Sequence, residues 1–214
     1  IMVSCSFACT LAFMYLVPQE LQRGLGMSST LAGLLMLPGG IVNAVCTLMA
    51  GRLFDRHGAR VLVWIGVVMA AIGGALFFAI GVDSGVVLFL AAHIIVMVGI
   101  PFIQQSAQSA ALKSLPGRMA ADGSTILNTM QQVCGAIATA VATCLLGLGQ
   151  TGYAAGGGAN AAQGFVDGSR YGYMFGLVLV AIVLVFSFML KGGKEEPKLV
   201  PVQVDDGAVE SLAV

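Results

Sequence analysis

A chain of 214 residues that is 58% hydrophobic and only 9% charged, with a mean hydropathy of +0.94, is not a soluble domain, in which about 25% of residues are charged. Its ten basic and ten acidic side chains cancel; that balance says little about partners, and none is expected to be nucleic acid. Several uncharged runs approach 20 residues, enough to cross about 30 Å of hydrocarbon at about 1.5 Å per residue, so the expected class is an all-α membrane protein.

In chain order, the first apolar run covers residues 1–17 and ends at Pro18. It starts at Ile1 without a basic leader and does not read as a signal peptide. A span that begins so abruptly is expected in a piece of a longer protein. Residues 18–30 then read as a polar connection carrying Glu20 and Arg23, with Ser28, Ser29 and Thr30 placed to cap the second helix. The second span, 31–50, holds Pro38, Gly39 and Gly40 near its middle, where a helix break is expected because proline removes a backbone donor. Such a break persists in a membrane only where protein or a wet cavity satisfies the freed carbonyl.

The third span, 61–82, turns at Asp83-Ser84-Gly85 into the fourth, 86–110, which contains Gly99 and a second expected helix break at Pro101. A polar connection from Lys113 to Gly123 carries Arg118 and Asp122, the latter placed to cap the fifth span, 124–148. A Gly- and Ala-rich loop, 150–170, leads to the sixth span, 171–190, which opens on Tyr171 and Tyr173 as interfacial anchors. Residues 191–214 mix charges, prolines and small residues and read as a disordered cytoplasmic tail. The domain reading is thus 1–190 as one six-helix unit followed by 191–214.

Six spans place loops alternately on two sides. One side collects Arg52, Arg56, Arg60, Lys113, Arg118, Lys191, Lys194 and Lys198, and the other only Arg23 and Arg170. The positive-inside rule therefore puts residues 51–60, 113–123 and 191–214 in the cytoplasm. Cys5, Cys9, Cys46, Cys134 and Cys144 all lie in apolar runs without metal-ligand or redox spacing, so no disulfide, metal or cofactor is expected.

Polar residues inside the spans should face the bundle, since facing lipid is costly. Asn43 is the deepest amide of the second span. His93, Gln104 and Gln108 share one face of the fourth, while Asn128, Gln131 and Gln132 crowd the cytoplasmic half of the fifth. These seven are candidates either for contact with a substrate cavity or for hydrogen bonds between helices. No acidic residue is expected at depth: Asp55 and Asp122 fall in cytoplasmic turns, and Glu20, Asp83 and Asp167 on the outer side.

The densest charge in the chain is the turn Gly51-Arg52-Leu53-Phe54-Asp55-Arg56-His57-Gly58-Ala59-Arg60. Its Gly51-x-Leu53-x-Asp55-Arg56-x-Gly58-x-Arg60 spacing resembles the signature loop of major facilitator superfamily transporters, departing at Ala59, where that family usually has arginine. Leu21-Gln22-x-x-x-Gly26 with Leu37-Pro38-Gly39-Gly40, and the run Asn128 to Ala136, are similar to the C-terminal half of fourteen-helix drug:proton antiporters. There the family often has arginine at the position of Gln131 and glycine at that of Cys134.

The resemblance implies one half of a major facilitator fold, built as two inverted three-helix repeats. It also implies proton-coupled efflux of apolar or cationic small molecules by alternating access, in partnership with a missing N-terminal half. The proton-carrying acids are then expected in that other half, leaving this one to bind and gate. Asp55, close to Arg56 and Arg60, is expected to pair with them and latch the cytoplasmic side. A metabolite or sugar symporter, and a non-transporting membrane interaction or receptor module, are the alternatives. No nucleophile elbow, phosphate-binding loop or pair of embedded acids points to an enzyme.

Overall fold

The computed structural model of the protein describes residues 1–81 and 84–189. Six long helices run back and forth: α1 (Met2–Gln19), α2 (Ser29–His57), α3 (Ala59–Ala79), α4 (Val86–Lys113), α5 (Ala120–Ala155) and α6 (Ala161–Ser187). All six have the length and apolarity to cross a membrane, and the residues expected in the tail, 191–214, lie outside the described residues.

Several boundaries differ from those expected of the sequence. α1 continues through Pro18 and passes into a wider π-helical turn, Glu20–Gly24, closed by the bond from the Leu25 N–H to the Glu20 carbonyl at 2.9 Å. Pro18 lies in the last turn of α1 and removes one bond of the ladder, which resumes with the Glu20 N–H bonding to the Leu16 and Val17 carbonyls. α2 and α4 likewise run unbroken through Pro38 and Pro101, so neither proline, nor Gly39-Gly40, ends a helix. The expected loop 150–170 shrinks to a few residues, because α5 extends to Ala155 and α6 starts at Ala161, where Asn160 Oδ1 accepts from the Ala162 and Gln163 N–H groups. Ser28 caps α2 in the same way through the Leu31 N–H at 3.3 Å, whereas Asp122 lies inside the first turn of α5 and makes no cap.

Helix neighbours follow a repeat. α1 packs on α5 and α6, α4 on α2 and α3, and α3 on α6. Exchanging α1–α3 for α4–α6 maps these pairs onto one another, the relation expected of two inverted three-helix units, although the extensive α5–α6 contact has only a weak counterpart in α2–α3. Without water inside a bilayer to drive helices together, contact depends on close van der Waals fit. α3 and α4 show it best: a Cβ placed on Gly99 would stand 2.6 Å from the Ala70 nitrogen and 2.6 Å from the Gly66 oxygen, so the two backbones touch. Phe13, Phe77, Phe89 and Tyr173 fill the outer half of the bundle, with the Phe77 and Tyr173 rings stacked at 4.9 Å. α2 is the exception to good burial, hiding little beyond Ala32, Gly39, Ala50 and Phe54.

Candidate functional site

Three polar sites stand out along the axis of the bundle. At the cytoplasmic end, Gly58 is the single residue between α2 and α3 and takes φ 78°, a left-handed conformation that glycine adopts without steric cost. The reversal holds Gly51, Leu53, Asp55, Arg56 and Arg60 around one short corner, all but Leu53 exposed. Asp55 does not pair with Arg56 or Arg60 as expected. Its Oδ1 lies 3.0 Å from Nζ of Lys113 at the end of α4, and that ammonium also sits 4.3 Å over the Phe54 ring. On a helix, neighbours in sequence point apart, so Arg56 faces away from Asp55, whereas the close α2–α4 contact brings Lys113 to it.

Near the middle of the bundle, Asn43 occupies the midpoint of α2 and reaches α4. Its Nδ2 donates to the Met97 carbonyl at 3.4 Å and lies 3.7 Å from the Met97 sulfur. This carbonyl is the one that Pro101, four residues on, leaves without an amide. The amide therefore repairs a defect in the neighbouring helix, a contact between helices. One turn earlier, the His93 ring is buried against Gly39, where a Cβ would come within 2.3 Å of its Cδ2, and His93 Nδ1 has no partner. Gly39 thus makes room for an imidazole.

The remaining candidates divide by burial. Gln104 and Gln108 are half-buried on α4, Asn128 and Gln132 are exposed on α5, and Gln131 is buried with Nε2 unpartnered. The structure does not bring these five into one site with Asn43 and His93.

The third site was missed. Glu20, expected in an outer loop, is 1% exposed, and Tyr173, expected as an interfacial anchor, is 0% exposed. Tyr173 Oη donates to Glu20 Oε2. One turn before Tyr173, Arg170 Nη1 lies 3.1 Å from Asp167 Oδ1, and Nη2 lies 3.5 Å from the Ile80 carbonyl. Arg170 and Asp167 line an open cleft of about 460 Å³, together with Phe78, Tyr153, Tyr171 and Met174. A signal was present: Glu20 follows Phe13 by seven and Leu16 by four, the spacing of one helix face. Ending the helix at Pro18 hid it. Among the described residues no group of His, Cys, Asp and Glu is arranged to hold a metal ion, and the five cysteines are free thiols.

Residues 1–139 match the profile of the Major Facilitator Superfamily. The lincomycin resistance protein LmrB of Listeria monocytogenes is 36% identical over 200 residues, covering 91% of this chain and 42% of its own length. LmrB of Bacillus subtilis is 35% identical over 196 residues, covering 89% and 41%. The multidrug resistance protein B homolog of Mycobacterium tuberculosis is 29% identical over 133 residues, covering 61% and 25%. The chain spans about two fifths of the length of the lincomycin resistance proteins it matches. No solved structure matches it. With its profile match, its six spanning helices and the charged corner between α2 and α3, the chain belongs to the Major Facilitator Superfamily and is a multi-pass cell-membrane protein.

Proposed function

We propose that this chain acts as one half of a proton-coupled exporter of apolar or cationic small molecules, a carrier and not an enzyme, working by alternating access with a second six-to-eight-helix half. The observation that carries the reading is the identity of about 36% to lincomycin resistance proteins across nine tenths of the chain. The uncovered faces of α2 and α5 support it. α5 exposes Ile126, Met130, Val133 and Ile137 beside Asn128 and Gln132, and amides at membrane depth call for protein or a wet cavity against them, not lipid. α2 and α5 hold equivalent places in the two repeats, so a partner half laid across both would enclose a central cavity between them. Asn43 and His93, whose polar atoms are engaged or buried within this half, then shape its wall through helix packing.

The corner at 51–60 is the cytoplasmic gate in this reading. Asp55 bridges α2 to α4 through Lys113, whose ammonium also rests on Phe54. The side chains are 70% and 49% exposed, so the pair and the ring contact together bias the closed state by about 1 kcal/mol and not by several.

The test is export by the full-length transporter containing this chain, expressed in a susceptible bacterium stripped of its own exporters. Lower accumulation of ethidium and higher tolerance of lincomycin, both abolished by a protonophore, are expected. Unchanged accumulation with the protein demonstrably in the membrane would overturn the reading.

A further inference from the structure

Glu20 is the one carboxyl group on a spanning helix that is sealed inside the helix bundle among the described residues. Its surroundings offer two different answers to its two protonation states. In either state it accepts from Tyr173, which is itself packed against Phe13 and Phe77, and as a neutral acid it has no charge left to balance. As a carboxylate it needs a cation, because a lone buried charge is costly. The nearest cation on α6 is Arg170, one turn before the Tyr173 that meets Glu20.

Arg170 is not committed to Glu20. Its Nη1 pairs with Asp167 on the wall of the outer cleft, its Nη2 touches the Ile80 carbonyl, and its Nε is buried with no partner among the described residues. The guanidinium thus pairs with the carboxyl group facing the cleft, one turn of α6 from the tyrosine that holds the sealed one, and keeps a spare donor. Among the described residues the other titratable groups near Glu20 are few. Arg23, in the same π turn, is exposed; α2 opens on Ser28, Ser29 and Thr30; the nearest on α4 is His93, beside Leu21.

We infer that Glu20 is a proton-binding site of this half, loaded from the outer cleft, and that Arg170 is its positioning residue, leaning toward Glu20 when the carboxyl is ionised and back to Asp167 when it is protonated. A hydronium ion in the cleft gives its proton to the Glu20 carboxylate: one O–H bond of hydronium breaks, leaving water, one O–H bond forms on the carboxyl, and the guanidinium settles on Asp167. Loss of the proton reverses each step. The π turn suits this role. Its widened backbone at Glu20–Gly24 closes bonds five residues apart, a geometry that one-turn insertions at functional positions favour. Sequence alone assigns proton binding to the other half; here this half carries a site of its own.

The inference rests on proton-coupled export, and its test separates the two. The full-length transporter is purified and titrated by infrared difference spectroscopy. The wild type should show a carboxylic-acid stretching band that appears and disappears with pH, kept in D167N, lost in E20Q, and displaced in Y173F, which leaves the carboxyl in place without its donor. In R170Q the band should persist to higher pH, since the ionised form has lost its cation. In proteoliposomes, ethidium addition should release protons from the wild type, and E20Q should lose that release while retaining ethidium exchange down its own gradient. A purely structural Glu20 would leave the band unmoved in Y173F and R170Q. No titrating band in the wild type, or proton release intact in E20Q, overturns the inference; absence of ethidium transport with the band present overturns export alone.

Discussion

Gly99→Ala is the sharpest test of how this bundle holds together. The added methyl would lie 2.6 Å from the Ala70 nitrogen and 2.6 Å from the Gly66 oxygen, and ordinary contact starts near 3.4 Å. Both obstacles are backbone, so no side chain can swing aside. α3 and α4 must part by about 0.8 Å along that line, which thins the dispersion contacts of the pair along several turns. Overpacking of this kind costs about 1–3 kcal/mol. Against it stands the higher helix propensity of alanine, about 1 kcal/mol, leaving a net loss of up to about 2 kcal/mol. Gly40 provides the opposite case, since a Cβ there meets nothing within 4 Å, and Gly40→Ala should stabilise by up to about 1 kcal/mol. Unfolding of the purified chain by sodium dodecyl sulfate in mixed micelles reads both from the midpoint. If Gly99→Ala unfolds at or above the wild-type midpoint, the close approach of the two backbones is not what binds α3 to α4.

The other sites lead to further expected outcomes. Asn43→Leu leaves the Met97 carbonyl without its donor and should cost about 1 kcal/mol in the same assay. Pro101→Ala returns an N–H to that carbonyl, so the cost of Asn43→Leu should shrink in the Pro101→Ala background; equal costs in both would refute the repair. Gly58→Ala forces φ 78° on a residue with a Cβ and should destabilise the α2–α3 corner by about 1 kcal/mol, visible as faster proteolysis between the two helices. Asp55→Asn should leave the unfolding midpoint within about 0.5 kcal/mol, because the pair is exposed, yet slow ethidium export by the full-length transporter. Export at the wild-type rate would remove the latch from the mechanism.

Composition alone determined the class of this protein, because a chain this apolar cannot be solvated and its runs are the length of a bilayer. The count and order of the spans were equally legible, since they depend on local hydropathy, whereas the turn expected over 51–60 narrows to Gly58 alone because α2 continues to His57. The family, too, was written in the charged corner. What escaped were pairings between helices. Asp55 has two arginines close by in sequence and chooses Lys113, because helix geometry turns Arg56 away and tertiary packing brings α4 near. Asn43 gains its partner only from the defect that Pro101 makes in another helix. Glu20 looked like a loop acid because prolines more often end a helix than ride through its last turn. Only the assembled bundle shows Tyr173, more than 150 residues away, closing over it. Hydropathy reports what each residue prefers to touch, while the identity of the partner depends on which helix faces are brought into contact.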